Sequence, residues 1–158
     1  FGIGRKIPMN RVNDLGQREG YWRDSVGGGF VYDLYYKGGK KDGLYKRFYR
    51  NKLFLFGEYT ADNISGTWYM FGDEGELRCT IDSIELNKDS IYTGYCRIFC
   101  KYKCYCADYY PSGAVKSEGY MVCDEEFEIE IWEIGEWKYY DESGNLIKTK
   151  DYGDRRTP

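Results

Sequence analysis

At 158 residues, with a net charge of −3 and a mean hydropathy of −0.71, the chain has the size of one domain, and without a single His it holds no Ser–His or Cys–His catalytic pair. No run of about 18 apolar residues occurs, which excludes a membrane-spanning helix. Aromatic residues make up 19% of the sequence and Tyr alone accounts for eighteen of them; so few aliphatics and so many rings suit a thin sheet held by cross-strand contacts of about 0.2–1 kcal/mol each.

Residues 1–19 combine Gly, Pro and basic side chains without periodicity and read as an extended lead-in. The opening at Phe1 leads us to expect an upstream segment, a signal sequence among the candidates, so the compartment stays open between cytoplasm and cell envelope. From Gly20 the sequence repeats. Gly20-Tyr21-Trp22, Gly43-Leu44-Tyr45 and Gly66-Thr67-Trp68 stand 23 residues apart, and three further periods reach Gly135-Glu136-Trp137. After each Gly an aromatic falls two places on (Trp22, Tyr45, Trp68, Trp137), and in the last three copies another falls five places on (Phe48, Phe71, Tyr140). Offsets of two and five differ in parity, so in a strand the two rings point to opposite faces. A turn cluster follows, Arg50-Asn51-Lys52, Asp73-Glu74-Gly75 or Asp141-Glu142-Ser143-Gly144, then Leu53, Leu77 or Leu146, which is the pattern of strand, tight turn, strand. Gly before an aromatic in a strand marks a bend that leaves room for a neighbouring ring; a phosphate-cradling loop is excluded because no helix pattern follows.

Within this frame, Phe30–Tyr36 is a strand turning through Lys37-Gly38-Gly39-Lys40, and 43–65 and 66–86 are the best-formed repeats. The grid fails between 87 and 134. There a turn at Asn87–Ser90 leads into a strand-like run Ile91–Tyr110, a turn at Pro111-Ser112-Gly113, a return strand Ala114–Val122, an acidic turn Asp124–Glu126 and a strand over 127–134. Residues 151–158 read as a polar tail. The expected organisation is one all-β repeat domain over 20–150, built of antiparallel hairpins about 23 residues long in an elongated, twisted, largely single-layer sheet.

The pattern G-x-W-x-x-Y/F, acidic turn, G-x-L and a return strand of the type Gly57-Glu58-Tyr59 or Lys150-Asp151-Tyr152 resembles MORN repeats, in particular the bacterial variant of the YwqK-family antitoxins of toxin–antitoxin systems. The matching segments, GKKDGLYKRFYRNKLFLFGEY, SGTWYMFGDEGEL, YYPSGAVKSEGYM and GEWKYYDESGNLIKTKDY, cover roughly half of the chain. What the resemblance implies is a non-catalytic binding surface, with a toxin as the partner. An exported envelope scaffold and a single-strand nucleic-acid binder are the alternatives.

Cys96, Cys100, Cys104 and Cys106 share one parity and would line one strand face with Ile98 and Tyr102. Neighbours on one strand face lie too far apart to bond to each other, so cross-strand partners Cys79 and Cys123 remain open; reduced packing, one or two disulfides, and metal are the three readings. The Cys-x3-Cys-x3-Cys-x-Cys run alone does not converge on one ion, and neither a metal nor another cofactor is expected. Glu126, Glu128 and Glu130 alternate with Phe127, Ile129 and Ile131 as a solvated strand face. With Tyr49, Tyr69 and Tyr139, these three glutamates are the candidate partner-binding residues. Charge is uneven: twelve Lys/Arg face five Asp/Glu in residues 1–53, against eleven and twenty-one in 54–158. Such ends allow head-to-tail self-association. The basic first third interleaves Tyr36, Tyr45, Phe48 and Tyr49 with Lys37, Lys40, Lys41, Lys46, Arg47 and Arg50, the mixture that would serve stacking on nucleic acid, although the repeat already accounts for the rings.

Overall fold

The computed structural model describes residues 8–88, 100–124 and 131–153, and among them there is no helix. The protein is all-β, every strand pairing with its neighbours in sequence is antiparallel where described, and the chain divides into two compact units, Phe1–Ser65 and Gly66–Pro158.

The first unit holds β1 (Arg11–Val12), β2 (Arg18–Gly27), β3 (Phe30–Lys37), β4 (Lys40–Tyr49), β5 (Lys52–Thr60) and the first residues of β6 (Asn63–Phe71). Its strands from β2 on are joined by two-residue turns whose central residues all have positive φ: Gly28-Gly29, Gly38-Gly39, Arg50-Asn51 and Ala61-Asp62. Positive φ at both positions is the type I′ signature, the turn whose twist matches that of paired strands. The glycines adopt it freely, whereas Arg50 at φ 48° and Ala61 at φ 49° hold it against the steric preference of an L-residue. A hairpin also precedes Gly20, where the sequence reads as a lead-in: β1 pairs with β2 across Asn13–Gln17, with Asn13 Oδ1 accepting from the amides of Leu15 and Gln17.

Each leading glycine of the repeat, Gly20, Gly43, Gly66 and Gly135, has positive φ, so the expected bend is present in all four copies. At Gly43 it is a bulge: Leu34 pairs with Tyr45 and Tyr36 with Lys41, so β4 takes four steps where β3 takes two. Room for a ring is not the reason at Gly20 or Gly135, where a Cβ would meet nothing within 4 Å. One face of the first unit is its core. Leu34, Tyr45, Leu55 and Tyr59 are buried there, with the Tyr45 ring 5.8 Å from Tyr32 and 5.7 Å from Tyr59. Arg47, only 7% exposed, lies among Phe30, Tyr32 and Phe54 at 4.4, 5.2 and 5.6 Å, so that the guanidinium is held by rings in place of water. Phe48 is on the other face, under Arg23, which also pairs with Asp33 at 3.4 Å.

The second unit continues β6 and adds β7 (Leu77–Leu86), β8 (Tyr102–Tyr109), β9 (Val115–Cys123), β10 (Ile131–Tyr140) and β11 (Leu146–Asp151). Its turns are of another kind. Gly72–Glu76, Tyr110–Ala114 and Asp141–Asn145 are each closed by an amide bonded to the carbonyl four residues on, with Gly75, Gly113 or Gly144 at positive φ in the fourth place, and Asn13–Gln17 follows the same plan. This is the three-residue hairpin loop that ends in a left-handed Gly. At Gly135 the bulge of β4 recurs, since Ile134 pairs with Tyr120 and Lys138 with Glu118. The core face buries Trp68, Ile81, Met121 and Trp137; a smaller cluster of Cys100, Val122 and Ile134, with Trp132 against it, lies on the opposite face. Trp137 needs a glycine, but it is Gly119 on β9: a Cβ there would stand 2.5 Å from the indole, whose Nε1 donates to the Tyr120 carbonyl at 2.7 Å. Residues 151–153, expected as part of a loose tail, are tied to the sheet: Asp151 ends β11 and the next two residues bond to Gly135. Tyr152 donates its amide to Gly135, Gly135 donates to Gly153, and the Tyr152 ring meets Trp137 edge-on at 6.5 Å.

Candidate functional site

Alternation along β8 and β9 sends Tyr105, Glu118 and Tyr120 to the face opposite Trp137, and the register sets Tyr105 directly across from Tyr120. Their rings meet edge-on at 5.2 Å, and Lys103 lies 5.3 Å from the Tyr120 ring. Tyr120 remains 46% exposed. Glu118 organises the group, because Oε1 accepts from the Tyr140 hydroxyl at 2.6 Å and the carboxylate also takes the Tyr105 hydroxyl. Burial, and then that bond to Glu118, push the Tyr105 phenol up to about 12. Tyr140 is raised as well, chiefly by its bond to Glu118. Tyr110 donates to the Tyr140 carbonyl at 2.9 Å and Tyr109 shares a hydrogen bond with Thr80 at 3.0 Å, so their hydroxyls are anchored as well. Beside them a shallow groove of about 440 Å³ is lined by Ala114, Val115, Glu118, Tyr140, Glu142, Ser143 and Gly144.

The candidate residues named from the sequence fall into three groups. Gly20 and Trp22 on β2, Gly43, Tyr45 and Phe48 on β4, Gly66, Trp68 and Phe71 on β6, and Gly135, Trp137 and Tyr140 on β10 are framework positions. The rings at offsets two and five do face opposite ways in two copies: Tyr45 contacts Tyr32 while Phe48 contacts Arg23, and Trp137 covers Gly119 while Tyr140 reaches Glu118. Tyr49, in the first unit, and Tyr69 and Tyr139, in the second, are each half-buried. Tyr49 stacks on Phe30 at 4.8 Å, Tyr69 lies opposite Thr80, and Tyr139 bonds the Tyr152 hydroxyl at 2.8 Å under Lys148. Glu126, Glu128 and Glu130 lie outside the described residues, as does Cys96. The sequence reading overlooked Tyr105, Glu118 and Tyr120; the available signal was Glu118 and Tyr120 flanking a Gly, the same G-E-Y-like return strand that carries Gly57-Glu58-Tyr59.

The five described cysteines are all buried and free. Strand order brings Cys79 on β7 to Cys106 on β8, with sulfurs 3.1 Å apart, and Cys123 on β9 to Cys104 on β8, at 3.5 Å. These are the two cross-strand partners that spacing left open. The bond to the neighbouring thiol and then burial raise Cys104 and Cys106 above the usual thiol range, and burial and then the neighbouring Cys123 raise Cys100, which keeps them protonated and poor nucleophiles.

Much of the basic character expected to serve nucleic acid is engaged within the first unit: Arg47 is buried among rings, Lys41 lies 4.7 Å from the Tyr59 ring and Arg50 lies 5.1 Å from that of Tyr49. No helix among the described residues is long and apolar enough to cross a membrane. No protein-family model matches the chain, and no curated protein or solved structure matches it significantly.

Proposed function

We propose that the chain is a non-catalytic β-hairpin module that binds a protein partner through the tyrosine face of its second unit. The observation that carries this reading is Tyr120, a large ring left half-exposed yet held by Tyr105, beside a groove that shares Glu118 with it. Rings already fixed lose little freedom on binding, which is why Tyr recurs at the centre of interfaces. Glu118 and Glu142 line the groove, so a partner presenting a Lys or Arg beside an apolar side chain complements it. The raised thiols and the absence of His support a binding role over covalent or acid–base chemistry. The resemblance to antitoxin-type MORN repeats makes a toxin the partner class to test first.

The test is capture from cells of the source organism with wild-type protein and with Tyr120→Ala. A stoichiometric protein partner that the variant binds about thirtyfold or more weaker, as loss of a central anchor of about 2 kcal/mol requires, supports the reading. A partner retained equally by the variant, or retention of nucleic acid with steep salt dependence, counts against it.

A further inference from the structure

We infer that Cys79, Cys106 and Asp108 form a binding site for one zinc ion. The inference is independent of partner binding and rests on the core face of the second unit. A single strand does not wrap an ion, but two neighbouring strands supply a triangle of side chains on one face. Cys106 and Asp108 are two residues apart on β8, and Cys79 on β7 lies directly opposite Asp108. One donor atom from each of the three lies within 4.8 Å of the other two.

Three properties fit a metal better than a packing role. The first is geometry. A tetrahedral ion with zinc–sulfur bonds of about 2.3 Å needs sulfurs about 3.8 Å apart; the observed 3.1 Å reaches this by small χ1 rotations that open the pair while drawing the carboxylate in. A disulfide asks for more, because Cys79 and Cys106 are diagonal neighbours, and diagonal Cα atoms typically stand about 7–8 Å apart, beyond the usual disulfide range. The second is charge. Asp108 has no ion pair among the described residues, so its half-buried carboxylate stands beside two buried thiols with no cation to balance it. The third is support behind the ligand. Ser117 Oγ donates to Asp108 Oδ2 at 2.9 Å, fixing the carboxylate and leaving Oδ1, which has no hydrogen bond among the described residues, for the ion.

Two thiolates and one carboxylate suit a borderline-soft ion, zinc above magnesium or calcium. On binding, each thiol forms a sulfur–metal bond and releases its proton to solvent, so the two sulfurs give up two protons per ion. With three protein ligands the fourth position is open to water. The second thiol pair, Cys104 and Cys123, lacks a carboxylate in the group and serves as the internal control.

The experiment titrates the fully reduced, intact chain with Co2+ and then displaces it with Zn2+. One cobalt per chain with a thiolate-to-cobalt charge-transfer band and tetrahedral d–d absorption is expected. The band disappears in Cys106→Ser and persists in Cys123→Ser. Asp108→Asn, nearly isosteric, and Ser117→Ala weaken zinc by about tenfold or more while leaving the circular dichroism unchanged. Absence of the charge-transfer band in reduced wild type would overturn the assignment, as would cobalt binding that survives Cys106→Ser. Should Cys106→Ser fail to fold, Asp108→Asn decides alone: unchanged zinc affinity refutes the site.

Discussion

Replacing Gly119 with Ala should destabilise the second unit severely for so small a change. Gly119 has no positive φ, so the backbone accepts Ala and, by stiffening the unfolded chain, would even gain about 0.4–1 kcal/mol. The new Cβ, however, would stand 2.5 Å from the Trp137 ring, where carbon atoms prefer about 3.5–4.0 Å. The indole therefore has to move by about 1 Å. Its freedom to do so is small, since Trp137 is buried, meets Tyr152 edge-on and donates to the Tyr120 carbonyl. Overpacking of a tight core costs about 1–3 kcal/mol, and a buried donor torn from its acceptor about 1–3 more. Net of the backbone gain, a loss of about 1–5 kcal/mol follows, a fall in Tm of roughly 2–20 °C for a chain of this size. Thermal melting followed by near-ultraviolet circular dichroism measures it. The pair Gly119→Ala with Trp137→Leu should lose clearly less than the sum of the single changes, because the shorter side chain relieves the collision. A Gly119→Ala melt within about 1 °C of wild type refutes the reasoning.

Other outcomes follow from the same geometry. Gly135→Ala places a Cβ in open space but holds an L-residue at φ 60°, so it should cost about 1–2 kcal/mol in urea denaturation, with no rescue from Trp137→Leu. Arg50→Asn with Asn51→Gly installs Asn-Gly at a type I′ turn that now holds Arg at φ 48°, and should raise stability by about 0.5–1 kcal/mol in the same assay. Tyr21 and Tyr105 are both pushed up to about 12, Tyr21 mainly by burial and then by Asp33. A phenol whose folded pKa exceeds its unfolded value of about 10 favours the folded state fully below pH 10, and that contribution fades as pH climbs towards 12. Unfolding midpoints should fall across that window, and the loss should be smaller in Tyr105→Phe.

What the sequence disclosed was mostly backbone. Gly20, Gly43, Gly66 and Gly135 could be read as bends because each interrupts a strand pattern directly before an aromatic, and only a special φ or a close contact explains a Gly there. Which of the two applied was not legible, since it depends on what lies opposite: at Gly43 a Cβ would also stand 3.0 Å from Tyr35, at Gly20 and Gly135 it would meet nothing, and beside Trp137 the close approach belongs to Gly119 of the return strand. The hairpin at Asn13–Gln17 was hidden by the basic, Pro-containing stretch around it, although Asn-Asp-Leu-Gly has the spacing of the later Gly-Asp-Glu-Gly turn. Tyr152 closes the last matching segment as Lys150-Asp151-Tyr152 yet reads with the polar residues after it, because its partner, Gly135, stands seventeen positions back. The thiol pairs and the Tyr105–Tyr120 contact required the register of β7, β8 and β9, which cannot be counted from the sequence because the 23-residue spacing fails after Leu86.

The claim that the tyrosine face is an interaction surface is tested most directly by binding of the captured partner to Tyr120→Ala, measured beside wild type by isothermal titration. A drop of about thirtyfold or more, with circular dichroism and melting unchanged, is the expected result. Affinity within about twofold of wild type would contradict the account.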